Sequence, residues 1–251
     1  MRRRYGRPPV VEAVCEIALQ GDTPWDTAVP GLVYCELSGE YPKREGVRRH
    51  VIEGRVTGSG VSQSVDVADG LRILSDDGRR FVQLLDRRVS VHQLSPYVSW
   101  DDYGARIERV LNAVLNNVNV TGYERLGLRY VNDVELAQER AELEEYFRFY
   151  PEVKSDGRDG LPRDHGPFRM AVDFVYEDDQ AICRVQLASL LRAAGEPLTV
   201  RLDLDYFRPM PGHMEREQVV AWIGIAHARL GGLFEGCITD RLREQFGEGS
   251  E

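Results

Sequence analysis

The sequence predicts an α+β protein: a largely antiparallel, twisted sheet of about eight strands with two long helices packed on one face. Three observations carry this. Short runs of alternating apolar and polar residues recur, bounded by glycine, proline and an Asp-Gly pair. Two stretches, 100–117 and 214–246, place apolar residues at helical spacing along a single stripe, so each has one face to bury. The order strand, irregular insert, three-stranded meander, helix occurs twice, dividing the chain into pseudo-repeat halves 1–121 and 122–251 of one compact domain.

Val10–Leu19 opens the fold. Val11, Ala13, Cys15, Ile17 and Leu19 form an apolar face and Val10, Glu12, Val14, Glu16 and Ala18 a mixed one, the alternation of a half-buried strand. Pro8-Pro9 prevents an earlier start. Pro30 suits the first turn of a short helix over 31–37, and Tyr41-Pro42 reads as an extended or turn dipeptide. The stretch 47–67 is rich in Gly, Ser and Arg and alternates weakly, so it reads as a loop or irregular edge strand. Strands at 71–75, 80–85 and 88–93 form a meander, its first turn made by Asp76-Asp77-Gly78. Ser99 caps the helix that follows, in which Trp100, Tyr103, Ile107, Val110, Leu111, Val114 and Leu115 share one face.

The second half opens on the strand 122–134. Glu124, Leu126, Leu128, Tyr130 and Asn132 point one way; Tyr123, Arg125, Gly127, Arg129 and Val131 point the other. A short charged helix over 135–149, a loop over 154–167 and strands over 168–176, 181–189 and 198–207 are expected next. In the last helical region Val219, Ile223, Ala226, Leu230, Phe234 and Ile238 track one face, and Gly231-Gly232 is expected to kink or break it.

Composition narrows the function classes. The formal net charge of −9 and the absence of any long apolar run argue against general nucleic-acid binding and a transmembrane helix. The basic start, Arg2, Arg3, Arg4 and Arg7, lacks the apolar core of a signal peptide, so a cytoplasmic location is expected. A second basic run, Lys43, Arg44, Arg48, Arg49 and His50, reads as a solvated loop. Cys15, Cys35, Cys183 and Cys237 include no C-x-x-C pair; Cys15, Cys183 and Cys237 fall in apolar patterns and read as buried thiols. His50, His92, His165, His213 and His227 are scattered, with His227 beside the apolar stripe of the last helix as a packed or interfacial residue. Catalytic and metal motifs are missing, and no catalytic or metal-ligating residue is assigned.

The candidate site is the sheet face away from the helices. Strand parity collects Glu12, Glu16, Gln83, Arg125, Arg129, Arg169, Asp173, Arg184, Gln186, Arg201, Asp203 and Asp205 there. On a flat face these charges form cross-strand ion pairs of about 0.2–1 kcal/mol each. On a curled one, Arg125, Arg129, Arg184 and Arg201, with Asp173, Asp203 and Asp205, line a groove for a small anionic ligand, because arginine forks match phosphate and carboxylate. Such a groove resembles triphosphate-tunnel enzymes, which carry Glu-x-Glu-x-Lys on their first strand. That resemblance implies a magnesium-dependent phosphohydrolase, with Glu12, Glu16, Asp173, Asp203 and Asp205 as the acids to hold the Mg ion; here the first strand reads Glu12-Ala-Val-Cys-Glu16, with the second acid two residues late and no lysine.

The ordered set Pro8-Pro-Val-Val-Glu-Ala-Val-Cys-Glu16, Tyr41-Pro42, Ser95-Pro-Tyr97 with Trp100, Arg125-Leu-Gly-Leu-Arg-Tyr-Val-Asn132 and Phe234-Glu-Gly-Cys-Ile-Thr239 resembles a sporadically distributed family of uncharacterised prokaryotic proteins of about this length. The resemblance implies a soluble bacterial protein, and the family's patchy distribution suggests an accessory role in defence or toxin systems. The reading is therefore a binding or interaction module for a protein partner or small anionic ligand, with no cofactor. Tyr97, Trp100, Tyr146, Phe147, Phe149, Tyr150 and Trp222 are more than one core takes easily; core packing is the default reading, and pairing with a protein partner or, as a homodimer, with a second copy is the alternative.

Overall fold

The computed structural model describes residues 5–57, 60–136, 142–152, 167–191 and 197–247, with side chains described outside 49–67. Residues 154–166 of the loop expected over 154–167, the residues Arg2, Arg3, Arg4 and His165, and the side chains of Arg49 and His50 lie outside these residues. The elements run β1 (Val10–Leu19), α1 (Val29–Leu37), β2 (Lys43–Thr57), β3 (Gly60–Leu74), β4 (Arg80–Leu85), β5 (Arg88–Leu94), α2 (Trp100–Asn117), β6 (Tyr123–Leu136), a 3-10 turn (Leu143–Glu145), β7 (Arg169–Tyr176), β8 (Ala181–Ser189), β9 (Leu198–Gly212), α3 (Arg216–Cys237) and α4 (Asp240–Phe246).

The nine described strands form one open sheet in the order β2-β3-β4-β5-β1-β6-β9-β8-β7. Every neighbouring pair is antiparallel. β1 and β6 meet at a central seam. From it each side steps back through its own half of the chain, by β5, β4, β3 and β2 on one side and β9, β8 and β7 on the other. At the seam Ala13, Cys15 and Ile17 lie opposite Tyr130, Leu128 and Leu126, and all are buried. Each large apolar side chain so buried contributes about 1.5–3 kcal/mol.

The helices cover this apolar face. Ser99 accepts the Asp102 amide at 3.2 Å and starts α2. Tyr103, Ile107, Val110, Leu111 and Val114 of α2 are buried as their spacing predicts. The Tyr103 hydroxyl donates to the Val91 carbonyl at 2.8 Å and fixes α2 to β5. α3 buries Val219, Trp222, Ile223, Ala226, His227 and Leu230 against β6 and β9. Of the aromatic residues in excess, Tyr146, Phe147 and Trp222 are in the core, and Tyr97, Trp100, Phe149 and Tyr150 pack partly buried against it.

Four expectations are corrected. The stretch 47–67 is neither loop nor irregular: β2 and β3 pair without a break from Lys43 with Leu74 to Thr57 with Gly60. Their ladder is made by the backbone and by opposed charges, Arg48 with Asp69 at 2.6 Å and Arg72 with Glu45 at 2.9 Å, so apolar alternation is weak. The expected helix over 135–149 is instead the end of β6, then the 3-10 turn and a bridge of Phe147 to Ile238; 137–141 lie outside the described residues. The same bridge divides the expected helix over 214–246 into α3 and α4 between Cys237 and Asp240, while Gly231-Gly232 leaves α3 unbroken. Tyr123 is buried in the helix-side core rather than on the arginine face, because register shifts at the start of β6 reverse the parity there.

Asp179, in the β7–β8 turn, accepts Arg229 Nε and the Tyr206 hydroxyl, each at 2.6 Å, and so pins that turn to α3 and β9. Hydrogen bonds from Arg229 and then Tyr206 hold its carboxyl below the ordinary value of 3.8. A depressed carboxylate stabilises the fold above its unfolded pKa, and that stability is lost as pH falls through the folded value. Asp179→Asn is expected to lower stability at neutral pH and to flatten its loss below about pH 3.8. Urea denaturation from neutral to acid pH measures both; an unchanged acid limb would remove this role.

Candidate functional site

The strand residues singled out from sequence do gather on the sheet face away from the helices; Arg125, Arg129, Arg184 and Arg201 each already have a carboxylate, while Arg169 donates to Gln186 at 2.9 Å. Arg125 donates both ways, to Asp205 at 2.8 and 2.9 Å and to Glu16 at 3.0 Å. Arg129 makes a two-pronged pair with Asp203, one bond at 2.7 Å. Arg184 pairs with Asp173 at 2.7 and 2.8 Å, and Arg201 with Asp133 at 2.7 and 2.8 Å. Asp133 was not singled out, although it shares the parity of Arg129 and lies directly opposite Arg201 in the register. Glu16 also receives Arg88 at 3.4 Å, so one chain of charges crosses β5, β1, β6 and β9. Glu12 shares a 2.9 Å bond with His92, which holds its carboxyl low. Burial pushes the Asp205 carboxyl up against the pull of Arg125. Among the described residues, no three His, Cys, Asp or Glu side chains converge as metal ligands.

Gly127 makes room for this network. Its register partners are Glu16 and Phe207, and Arg125 folds back over it, 4.6 Å from the Phe207 ring, to reach Glu16 and Asp205. A Cβ on Gly127 would lie 2.2 Å from Arg125 Nη1. Gly127→Ala is therefore expected to displace the guanidinium and destabilise the fold by about 1–3 kcal/mol, since Asp205 loses a partner in a part-buried position. The double variant Gly127→Ala with Arg125→Ala should be no less stable than Arg125→Ala alone, measured by urea midpoints. Additive losses would show that the glycine acts otherwise.

Cys15, Cys183 and Cys237 are buried, as their apolar patterns predict. Burial raises Cys15 to about 12 and Cys237 to about 11, and pushes Cys183 up as well. Cys35 is exposed on α1.

On the helix side the structure has a cavity of about 960 Å³. It lies between the turn before α2, the middle of β6 at Tyr130 and Asn132, Leu204 of β9, the segment preceding β1, and α3. A register shift between Val10 and Glu12 sets Val10 opposite Asn132, so Val10 joins the wall. The polar wall is a linked aromatic set. The hydroxyls of Tyr97 and Tyr130 are 3.1 Å apart, and that of Tyr130 is 2.9 Å from His227 Nδ1. Trp100 stacks on the His227 ring at 3.7 Å with 7° between planes. Glu235 accepts the Tyr5 hydroxyl at 2.6 Å and Arg243 at 2.9 Å. Asn132 is 1% exposed; its amide nitrogen donates to the Leu202 carbonyl at 3.1 Å, and among the described residues its Oδ1 has no partner.

Sequence reasoning did not find this cavity. Tyr97, Trp100 and Asn132 lay in quoted motifs, and His227 was read as a packed residue. The available signal was Gly231-Gly232 inside an otherwise regular helical stripe. Each glycine costs about 1 kcal/mol relative to alanine, and both line the cavity. Comparison with protein-family models, curated proteins and solved structures finds no match to this chain.

Proposed function

We propose that the chain is a binding module that holds a small ligand in the cavity beneath α3. The observation that carries this is the cavity itself: about 960 Å³, near the upper end of small-molecule sites, with aromatic walls and convergent polar groups. Gly231 supports it, because a larger residue there would suit the helix better unless the cavity wall needed the space. The charged sheet face is the weaker place for a ligand. The four arginines proposed there for the ligand donate to Asp205, Asp203, Asp173 and Asp133 already, so an anion would have to displace a carboxylate. The acids proposed for magnesium are likewise hydrogen-bonded to arginine or histidine.

A ligand-observed NMR screen of a fragment library tests the reading. Gly231 lies one helical turn beyond His227, so a side chain there enters the cavity wall. Gly231→Phe is expected to abolish saturable binding of the hits. Gly232→Ala is the control: a Cβ there meets nothing within 4 Å, so it should keep the hits and raise stability by up to about 1 kcal/mol. Hits that persist in a folded Gly231→Phe, or no hits with the wild type, would defeat the proposal.

A further inference from the structure

A buried, unmatched acceptor on a residue that lines this cavity bears on which ligand it takes. Six buried side-chain atoms among the described residues lack a hydrogen-bond partner, on Tyr41, Arg72, Arg106, Asn132, Tyr146 and Trp222. Asn132 is the member of that set that lines the cavity. Its orientation follows from its surroundings. The amide nitrogen faces two carbonyl oxygens, of Leu202 at 3.1 Å and Tyr130 at 3.4 Å, so the nitrogen must be on that side and Oδ1 on the other. Oδ1 can only accept. β6 holds it rigidly, since Asn132 is paired in register with Val10 on one side and Leu202 on the other.

Around it the wall is aromatic: Tyr97 and Tyr130 meet edge to face at 5.5 Å, Trp100 covers His227, and Phe234 lines the side toward α4. Flat apolar surfaces of this kind favour a planar ring, and a buried acceptor requires a donor. We infer that the cavity recognises a planar nitrogen heterocycle whose ring N–H is donated to Asn132 Oδ1. This rests on the cavity being the binding site, and it adds the ligand's chemistry.

Matched probes separate the two claims. Indole carries the ring N–H; 1-methylindole has the same ring without it. Wild-type protein, titrated by NMR, should bind indole about tenfold or more tightly than 1-methylindole, the effect of leaving one buried acceptor unpaired. Asn132→Leu should bring the ratio close to one by weakening indole alone, and its melting temperature should not fall below that of wild type by more than a few degrees. A role for Asn132 in folding alone would leave the ratio unchanged. Equal affinities for the two probes in wild type, a preference that survives Asn132→Leu, or no binding of either probe would each overturn the ligand class. The wild-type comparison decides the matter even if Asn132→Leu does not fold. Gly231→Phe marks the other failure: indole binding that survives it refutes the cavity as the site, whatever the ratio.

Discussion

The pairing of β1 with β6 is the contact on which the rest depends. Cys15 opposite Leu128, and Ala13 and Ile17 opposite Tyr130 and Leu126, bury one side of the seam completely. The sheet is built outward from it in both directions, and no strand of one half pairs with the other half anywhere else among the described residues. The long helices then have one place to bury their stripes. α2 is fixed to β5 by Tyr103, α3 lies over β6 and β9, and the two meet where Trp100 stacks on His227. The cavity opens where regular seam pairing ends, at the shift between Val10 and Glu12.

One-sided burial constrains the opposite face. Among the described residues no helix covers that face, and an antiparallel sheet tolerates this when its outward residues are polar. Here the polar residues are paired across strands. Asp173 stands directly opposite Arg184, and Asp133 opposite Arg201. Arg129 reaches diagonally to Asp203, two residues along β9 from its register partner Asp205, and Arg125 reaches further, from its partner Pro209 to Asp205. The exposed pairs contribute little each. Around Arg125 and Asp205, where water is partly excluded, leaving one member unpaired costs more than the pair gains. The lattice therefore reads as architecture, with Gly127 shaped to its tightest point.

How much of this was legible follows from where the information sits. α2 was readable because its determinants are local: an N-cap serine and a stripe at helical spacing. β2 and β3 were not, because partner strands and opposed charges sustain them rather than a buried face. Tyr123 was placed on the wrong face because one irregular residue reverses every side chain beyond it. The region after β6 carried helix-like charge, but Phe147 and Ile238 pair across nearly a hundred residues, and local pattern contains no trace of such a contact. The arginine face was found correctly by parity; its partners needed the register. The cavity was invisible because it is made of what α3 lacks at Gly231 and Gly232, and because its polar wall draws on four separate segments.

Local and global preferences agree across most of the molecule, and their disagreements are informative. Arg125 is matched to Asp205, Arg229 to Asp179, and Ser99 to the Asp102 amide. At the cavity three departures coincide: paired glycines inside a helix, an irregularity in the central seam, and an acceptor on a buried asparagine with nothing to accept. Any one could be a tolerated cost of folding. Together they come from α3, β1 and β6, elements far apart in sequence, and they affect the same space. A side chain at Gly231 would fill that space, an alanine at Gly232 would suit the helix better, and replacing Asn132 by an apolar residue would remove an unmet polar group. Each change favours the empty fold. A sequence that keeps all three gives up stability at one place, which is the pattern expected where a binding site competes with packing.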